Sequence, residues 1–190
     1  MDQPIEKTAL LVMDMQAALL GAYPGITSLV PRVAQAIVFA RSRNIPVIYV
    51  VVGFRPGTPE ISPVNKGLAA AKARFANIDM DAWVTIHSDL APKTGEIIVT
   101  KRRVSAFTGS DLEVLLRAQG IQHIVLTGLS TSGVVLSTVR EAADKDYRIT
   151  VLSDGCADPD LETHTVLTTK VFPRQADVLT VGAWTAQHAG

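Results

Sequence analysis

Residues able to move protons or stabilise a developing negative charge stand in distant stretches of this sequence, each directly after an apolar run. Asp14 and Gln16 follow Leu10-Leu11-Val12-Met13. Lys101 follows Ile97-Ile98-Val99-Thr100, and Gly128-Leu129-Ser130-Thr131-Ser132-Gly133-Val134 follows the run from His123 to Thr127. A carboxylate can give or take a proton, and an ammonium beside it sets its charge and orientation. A turn that opens a helix can aim backbone N–H groups at an oxyanion. Taken singly, each feature also has a structural reading. Asp14 can cap the next segment, Lys101-Arg102-Arg103 can be a solvated patch, and Gly128 to Gly133 can be a capping turn. That turn has neither the lysine of a phosphate-binding loop nor the glycine spacing of a dinucleotide site.

Phe54 and Arg55 follow the run from Val47 to Val52. The Arg55 guanidinium is a fork of donors suited to a substrate carboxylate, or equally to an ion pair across a subunit interface. Phe54, Trp83 and Phe107 can line an apolar pocket wall or lie in the core. The histidines His87, His123, His164 and His188 are scattered along the sequence, so no metal site and no cofactor is expected.

The elements that must position these groups are apolar runs of strand length: Ala9 to Met13, Val47 to Val52, Glu96 to Thr100, His123 to Thr127, Ile149 to Leu152 and Val178 to Val181. They lack polar alternation, which predicts strands buried on both faces, as in a parallel sheet. Ile26 to Arg43 carries a helical apolar stripe through Ile26, Leu29, Val30, Val33, Ile37 and Ala40. Ser110-Asp111-Leu112-Glu113 predicts a capping box for a helix ending at Gly120. Asp158-Pro159 predicts the cap and first turn of a helix to about Lys170, stopped by Pro173. Alternating strands and helices predict a parallel sheet with helices on both faces, whose ligands bind beyond the carboxyl ends of the strands. The exception is Gly53 to Asp89, a long segment rich in Pro and Gly at its start, with a short helix near Lys66 to Phe75; such insertions are usually lids or binding loops.

The chain has 190 residues, of which 47% are hydrophobic and 19% charged, as expected for a single globular domain over 1–190. Lys+Arg and Asp+Glu are 18 each, so no basic excess favours nucleic acid or an anionic membrane. No apolar run approaches the roughly 20 residues of a membrane span. Cys156 is the single cysteine and no secretory leader is evident, which points to the cytoplasm.

In combination these stretches are specific. Leu11-Val12-Met13-Asp14-Met15-Gln16, Thr100-Lys101 with Ser105-Ala106-Phe107, and Thr127 to Val135 with Thr138 and Ala142 resemble the isochorismatase-like superfamily, which includes nicotinamidases and N-carbamoylsarcosine amidohydrolases. The resemblance runs from about Thr8 to Val181. It implies a three-layer α/β/α, Rossmann-like fold with a six-stranded, mainly parallel sheet, a small-molecule substrate, and assembly as a homodimer or homotetramer. The amidases of that family use an Asp, Lys and Cys triad. Asp14 matches the acid, Lys101 the lysine, and Val134 the thiol position, so a covalent thiol route is closed there. Cys156 does not match the motif and reads as a buried filler, while Ser130 and Ser132 read as turn caps before they read as nucleophiles. The resemblance further implies that Asp14 and Lys101 pair from adjacent central strands. It also implies that a cis Leu129–Ser130 peptide aims the N–H groups of Ser130 and Val134 into a pocket contacted by Gln16, Phe54, Arg55, Phe107 and Ser132.

Family members without the cysteine protonate a vinyl ether with the aspartic acid and let water finish the cleavage. Two functions follow: hydrolysis by Asp14 and Lys101 without a thioester, or a catalytically silent descendant that binds a small ligand or partner. A nucleotide-binding Rossmann protein is disfavoured, because no glycine fingerprint follows the first strand.

Overall fold

The computed structural model describes residues 7–26 and 28–187, with the side chain of Pro24 left out. The elements in chain order are β1 (Thr8–Met13), α1 (Ala17–Gly21), α2 (Leu29–Ser42), β2 (Val47–Val52), α3 (Lys66–Ala76), α4 (Met80–Trp83), β3 (Ile97–Lys101) and α5 (Leu112–Ala118). They continue with β4 (His123–Leu129), a π-helical turn (Thr131–Val135), α6 (Leu136–Asp144), β5 (Arg148–Ala157), α7 (Leu161–Val166), β6 (Asp177–Leu179) and α8 (Val181–Gln187). The strands form one six-stranded sheet in the order β3-β2-β1-β4-β5-β6, and every pairing is parallel.

The unalternating apolar runs have the predicted cause. Successive residues of β1 point to opposite layers, and both layers are dry. Ala9, Leu11 and Met13 pack with Leu112 and Leu116 of α5 and Val139 and Ala142 of α6. Leu10 and Val12 pack with Val33, Ala36, Ile37 and Ala40 of α2 and Trp184 of α8. Strand order reverses between β1 and β4, so the switch point at which such sheets are expected to bind ligands lies at their carboxyl ends, beside Asp14 and the 128–134 turn.

Several local expectations shift. The stripe from Ile26 forms a helix only from Leu29, after a 3₁₀ turn over Pro24–Ile26. Helix α5 begins at Leu112 without a capping box: Ser110 Oγ accepts the Leu112 N–H at 3.2 Å, and Glu113 turns away to Lys145 at 2.6 Å. The cap of α7 is Asp160, which accepts the Thr163 N–H at 3.1 Å, because Asp158 is engaged elsewhere. Strand β5 continues past Leu152, re-pairing with β4 at Gly128↔Cys156 after an irregularity in register. Val181 opens helix α8 and does not extend β6. No helix of the described residues is long and apolar enough to cross a membrane.

Candidate active site

Asp14 sits one residue beyond β1 in the left-handed backbone region, with φ 55°, and its N–H donates to the Val50 carbonyl at 2.8 Å. This bend turns the carboxylate across the end of β2. Its Oδ2 lies 2.9 Å from Lys101 Nζ, and both side chains are buried. The pair is therefore closed as expected, but not from adjacent central strands. Strand β3 is at the sheet edge with β2 between it and β1, a separation of about 9 to 10 Å. The long lysine stem reaching across the end of β2 makes the contact.

Lys101 uses all three of its donors. Besides Asp14, its ammonium gives hydrogen bonds to the Arg103 and Val104 carbonyls, both at 3.0 Å. The loop that carries those carbonyls is tied to α6, since the Ala106 N–H donates to Thr138 Oγ1 at 3.0 Å. These carbonyls had no signature in the sequence, because any residue supplies one. A saturated ammonium orients Asp14 and compensates its charge without reaching further.

The other carboxylate oxygen, Asp14 Oδ1, is buried and has no hydrogen-bond partner. Burial pushes the Asp14 carboxyl above its ordinary range, against the opposing pull of the Lys101 charge and hydrogen bond. An unpaired buried oxygen on a carboxyl held toward its neutral form is a proton carrier with its proton-bearing atom free.

Opposite Asp14, β4 approaches β1 so closely that a Cβ on Gly128 would stand 2.1 Å from the Met13 carbonyl oxygen. The Leu129–Ser130 peptide is cis. Ser130 Oγ accepts the Gly133 N–H at 3.1 Å and so acts as a cap. Beyond β5, two side chains hold the outside of the turn: Asp158 Oδ2 accepts the Ser132 N–H at 2.7 Å, and His164 Nδ1 bonds Thr131 Oγ1 at 2.8 Å. Val134 is buried, in one apolar cluster with Met13 and Val135.

The remaining candidates have other occupations. Gln16 is fully buried, its Nε2 donating to the Val52 and Trp83 carbonyls and its Oε1 accepting the Val52 N–H, so it straps residues 83–87 beside β1 and has no donor left for a substrate. Phe54 packs against Phe75, ring centroids 4.8 Å apart and tilted by 50°, within the 53–89 segment. Arg55 has an exposed side chain paired with Glu60 at 2.7 Å, and Glu60 also lies 3.6 Å from Arg102, so part of its fork is spent within the same segment. Phe107 is buried and stacks on Tyr147 at 5.8 Å, in the apolar cluster that also holds Met13 and Val134. Ser132 is exposed, and it is its backbone N–H that is bound. Cys156 is buried, its thiol pushed up to about 12 by desolvation. A cavity of about 1270 Å³ between Lys7, Gln119, His123 and Arg148 lies at the amino ends of the strands, away from this chemistry. Among the described residues no three His, Cys, Asp or Glu side chains gather as a metal site.

Residues 8–183 match the isochorismatase domain family. The chain is 32% identical over 179 residues to the isochorismatase family protein YecD of Escherichia coli O157:H7, covering 92% of each chain. It is 31% identical over 126 residues to N-carbamoylsarcosine amidase of an Arthrobacter species, covering 66% of this chain but only 48% of that one. Among solved structures, an isochorismatase family protein from Burkholderia thailandensis superposes with a TM-score of 0.81 at 28% identity, over 97% of this chain and 96% of the other. The N-carbamoylsarcosine amidase of Thermoplasma acidophilum gives 0.77, also at 28% identity, over 92% and 96%. A family match that spans nearly the whole described chain joins the same fold seen in solved relatives: the chain belongs to the isochorismatase family.

Proposed function

We propose that this chain hydrolyses a small molecule by acid–base chemistry centred on Asp14 and Lys101, without a cysteine thioester. The observation that carries the reading is the asymmetry of the Asp14 carboxyl, with Oδ2 held by Lys101 and Oδ1 buried and unpartnered. In the neutral form the proton belongs on Oδ1, since Oδ2 already accepts from an ammonium. That proton passes to a basic atom of the scissile group. Water then adds to the activated carbon and returns a proton to the carboxylate, so Asp14 ends each cycle as it began. Lys101 is a positioning residue, and the N–H groups of Ser130 and Val134 are the candidates for stabilising charge on oxygen. Oδ1 is covered in this structure, so substrate reaches it after a local opening. Relatives named N-carbamoylsarcosine amidase, ureidoacrylate amidohydrolase and maleamate amidohydrolase direct the first screen to small amides, with vinyl ethers beside them.

Turnover of any of these compounds is expected to fall by about 10² or more in Asp14→Asn, and to decline as pH rises through the raised Asp14 pKa, because the acid form does the work. Turnover that survives Asp14→Asn, or that is abolished by alkylation or by Cys156→Ser, would overturn the reading. The buried, unreactive Val134 favours a second one, binding without turnover. Saturable, Asp14-dependent binding of a compound that is never cleaved would establish it.

A further inference from the structure

We propose that the cavity at the carboxyl end of β5 is a second small-molecule site, selective for an organic cation with an apolar body of about the size of benzylammonium. The cavity measures about 510 Å³, within the range of roughly 300 to 1,000 Å³ usual for ligand pockets. Neither Asp14 nor Lys101 lines it, so it is separate from the acid–base pair.

Its lining sets the ligand class. Tyr23 and Leu161 contribute an apolar wall and rim. Leu161 is 76% exposed, an apolar side chain that the chain itself leaves uncovered. The polar side includes Ser28, Asp154, Asp158 and His164, and no lysine or arginine lines the cavity among the described residues. Arg32 compensates Asp154 at 3.6 Å from behind. Among the described residues Asp158 has no such cation, and its oxygens accept the Ser132 and Asp160 N–H groups, at 2.7 and 3.2 Å. His164 does not supply one either, since burial lowers its pKa more than the Asp158 charge raises it, and its Nδ1 is committed to Thr131. A half-buried carboxylate without a counter-charge, set in an apolar concavity with a tyrosine ring at the rim, attracts an ammonium with an apolar body and repels an anion. Because Asp158 and His164 also hold the 130–134 turn, an occupant would touch the supports of that turn.

The test is isothermal titration calorimetry of benzylammonium chloride and of sodium benzoate into the native protein. Benzylammonium is expected to bind saturably, and benzoate at least about 10-fold more weakly. Asp158→Asn, which keeps an acceptor for the Ser132 N–H, should weaken benzylammonium binding at least about 10-fold. Leu161→Arg, at an exposed position that does not threaten the fold, should abolish the preference for the cation. Equal affinity for the two ions, no saturable binding of benzylammonium, or binding that Asp158→Asn leaves unchanged would overturn the proposal.

Discussion

Replacing Lys101 with Met removes an ammonium from the buried pair while keeping an unbranched side chain of similar length, so the change is electrostatic and opens no large cavity. Two costs follow from the contacts. The Arg103 and Val104 carbonyls lose their shared donor, an effect of about 1 to 3 kcal/mol that does not depend on pH. Asp14 loses the cation paired with it, and breaking a buried pair in this way costs about 3 to 5 kcal/mol while the survivor stays charged. Asp14 can escape the second cost by taking up a proton. Its folded pKa already lies above the ordinary 3.8, because desolvation outweighs the two lowering effects of Lys101. Removing Lys101 deletes both of those effects and raises the folded value further. A group with a raised folded pKa contributes stability that is complete below its unfolded pKa and is lost as pH rises through the folded one. The variant's deficit relative to wild type should therefore grow with pH, by at most about 1.4 kcal/mol per pH unit for one proton, between the wild-type and variant folded pKa values. Urea unfolding of both proteins at pH 5, 6, 7, 8 and 9 measures it. A deficit that is constant across this range would refute the coupling of Asp14 to Lys101 on which the proposed chemistry depends.

Other changes probe the same region. Gly128→Ala places a methyl group 2.1 Å from the Met13 carbonyl, at φ +142°, so β4 must move away from the residue that precedes Asp14. A loss of about 3 kcal/mol or more is expected, and a melting temperature equal to that of wild type would show that the two strands do not meet as described. Val134→Cys should install a second thiol more reactive than Cys156, whose thiol is pushed up to about 12. Peptide mapping after brief iodoacetamide treatment should show labelling at 134 ahead of 156, and the reverse order would argue against Val134 occupying the thiol position of the family.

Much of the architecture could be read from local pattern. Apolar runs without alternation mean strands covered on both faces, and the helical stripe of Val33, Ile37 and Ala40 buries one side of α2 as its period requires. Asp14 and Lys101 stood out because a charged residue directly after a buried strand must find a partner or a task. What the pattern could not supply was the choice of partner. Ser110 with Glu113, and Asp158 with Pro159, have the composition of helix caps. Yet Glu113 is drawn to Lys145, 32 residues away, and Asp158 to the Ser132 N–H, 26 residues away. Gln16 and Phe107 lie near the motif stretches in sequence, but one amide is consumed by backbone groups and one ring is packed into the core against Tyr147.

Sequence alone thus determined which segments are buried and which chemically able residues sit at the strand ends, because periodicity and residue type report local burial and local chemistry. Only the tertiary structure decided that Lys101 crosses the end of β2 from an edge strand, that its three donors are spent, and that Asp14 keeps one oxygen without a partner. Those facts depend on distances between groups far apart along the chain, and such distances are set by the packing of the whole sheet and its two helical layers.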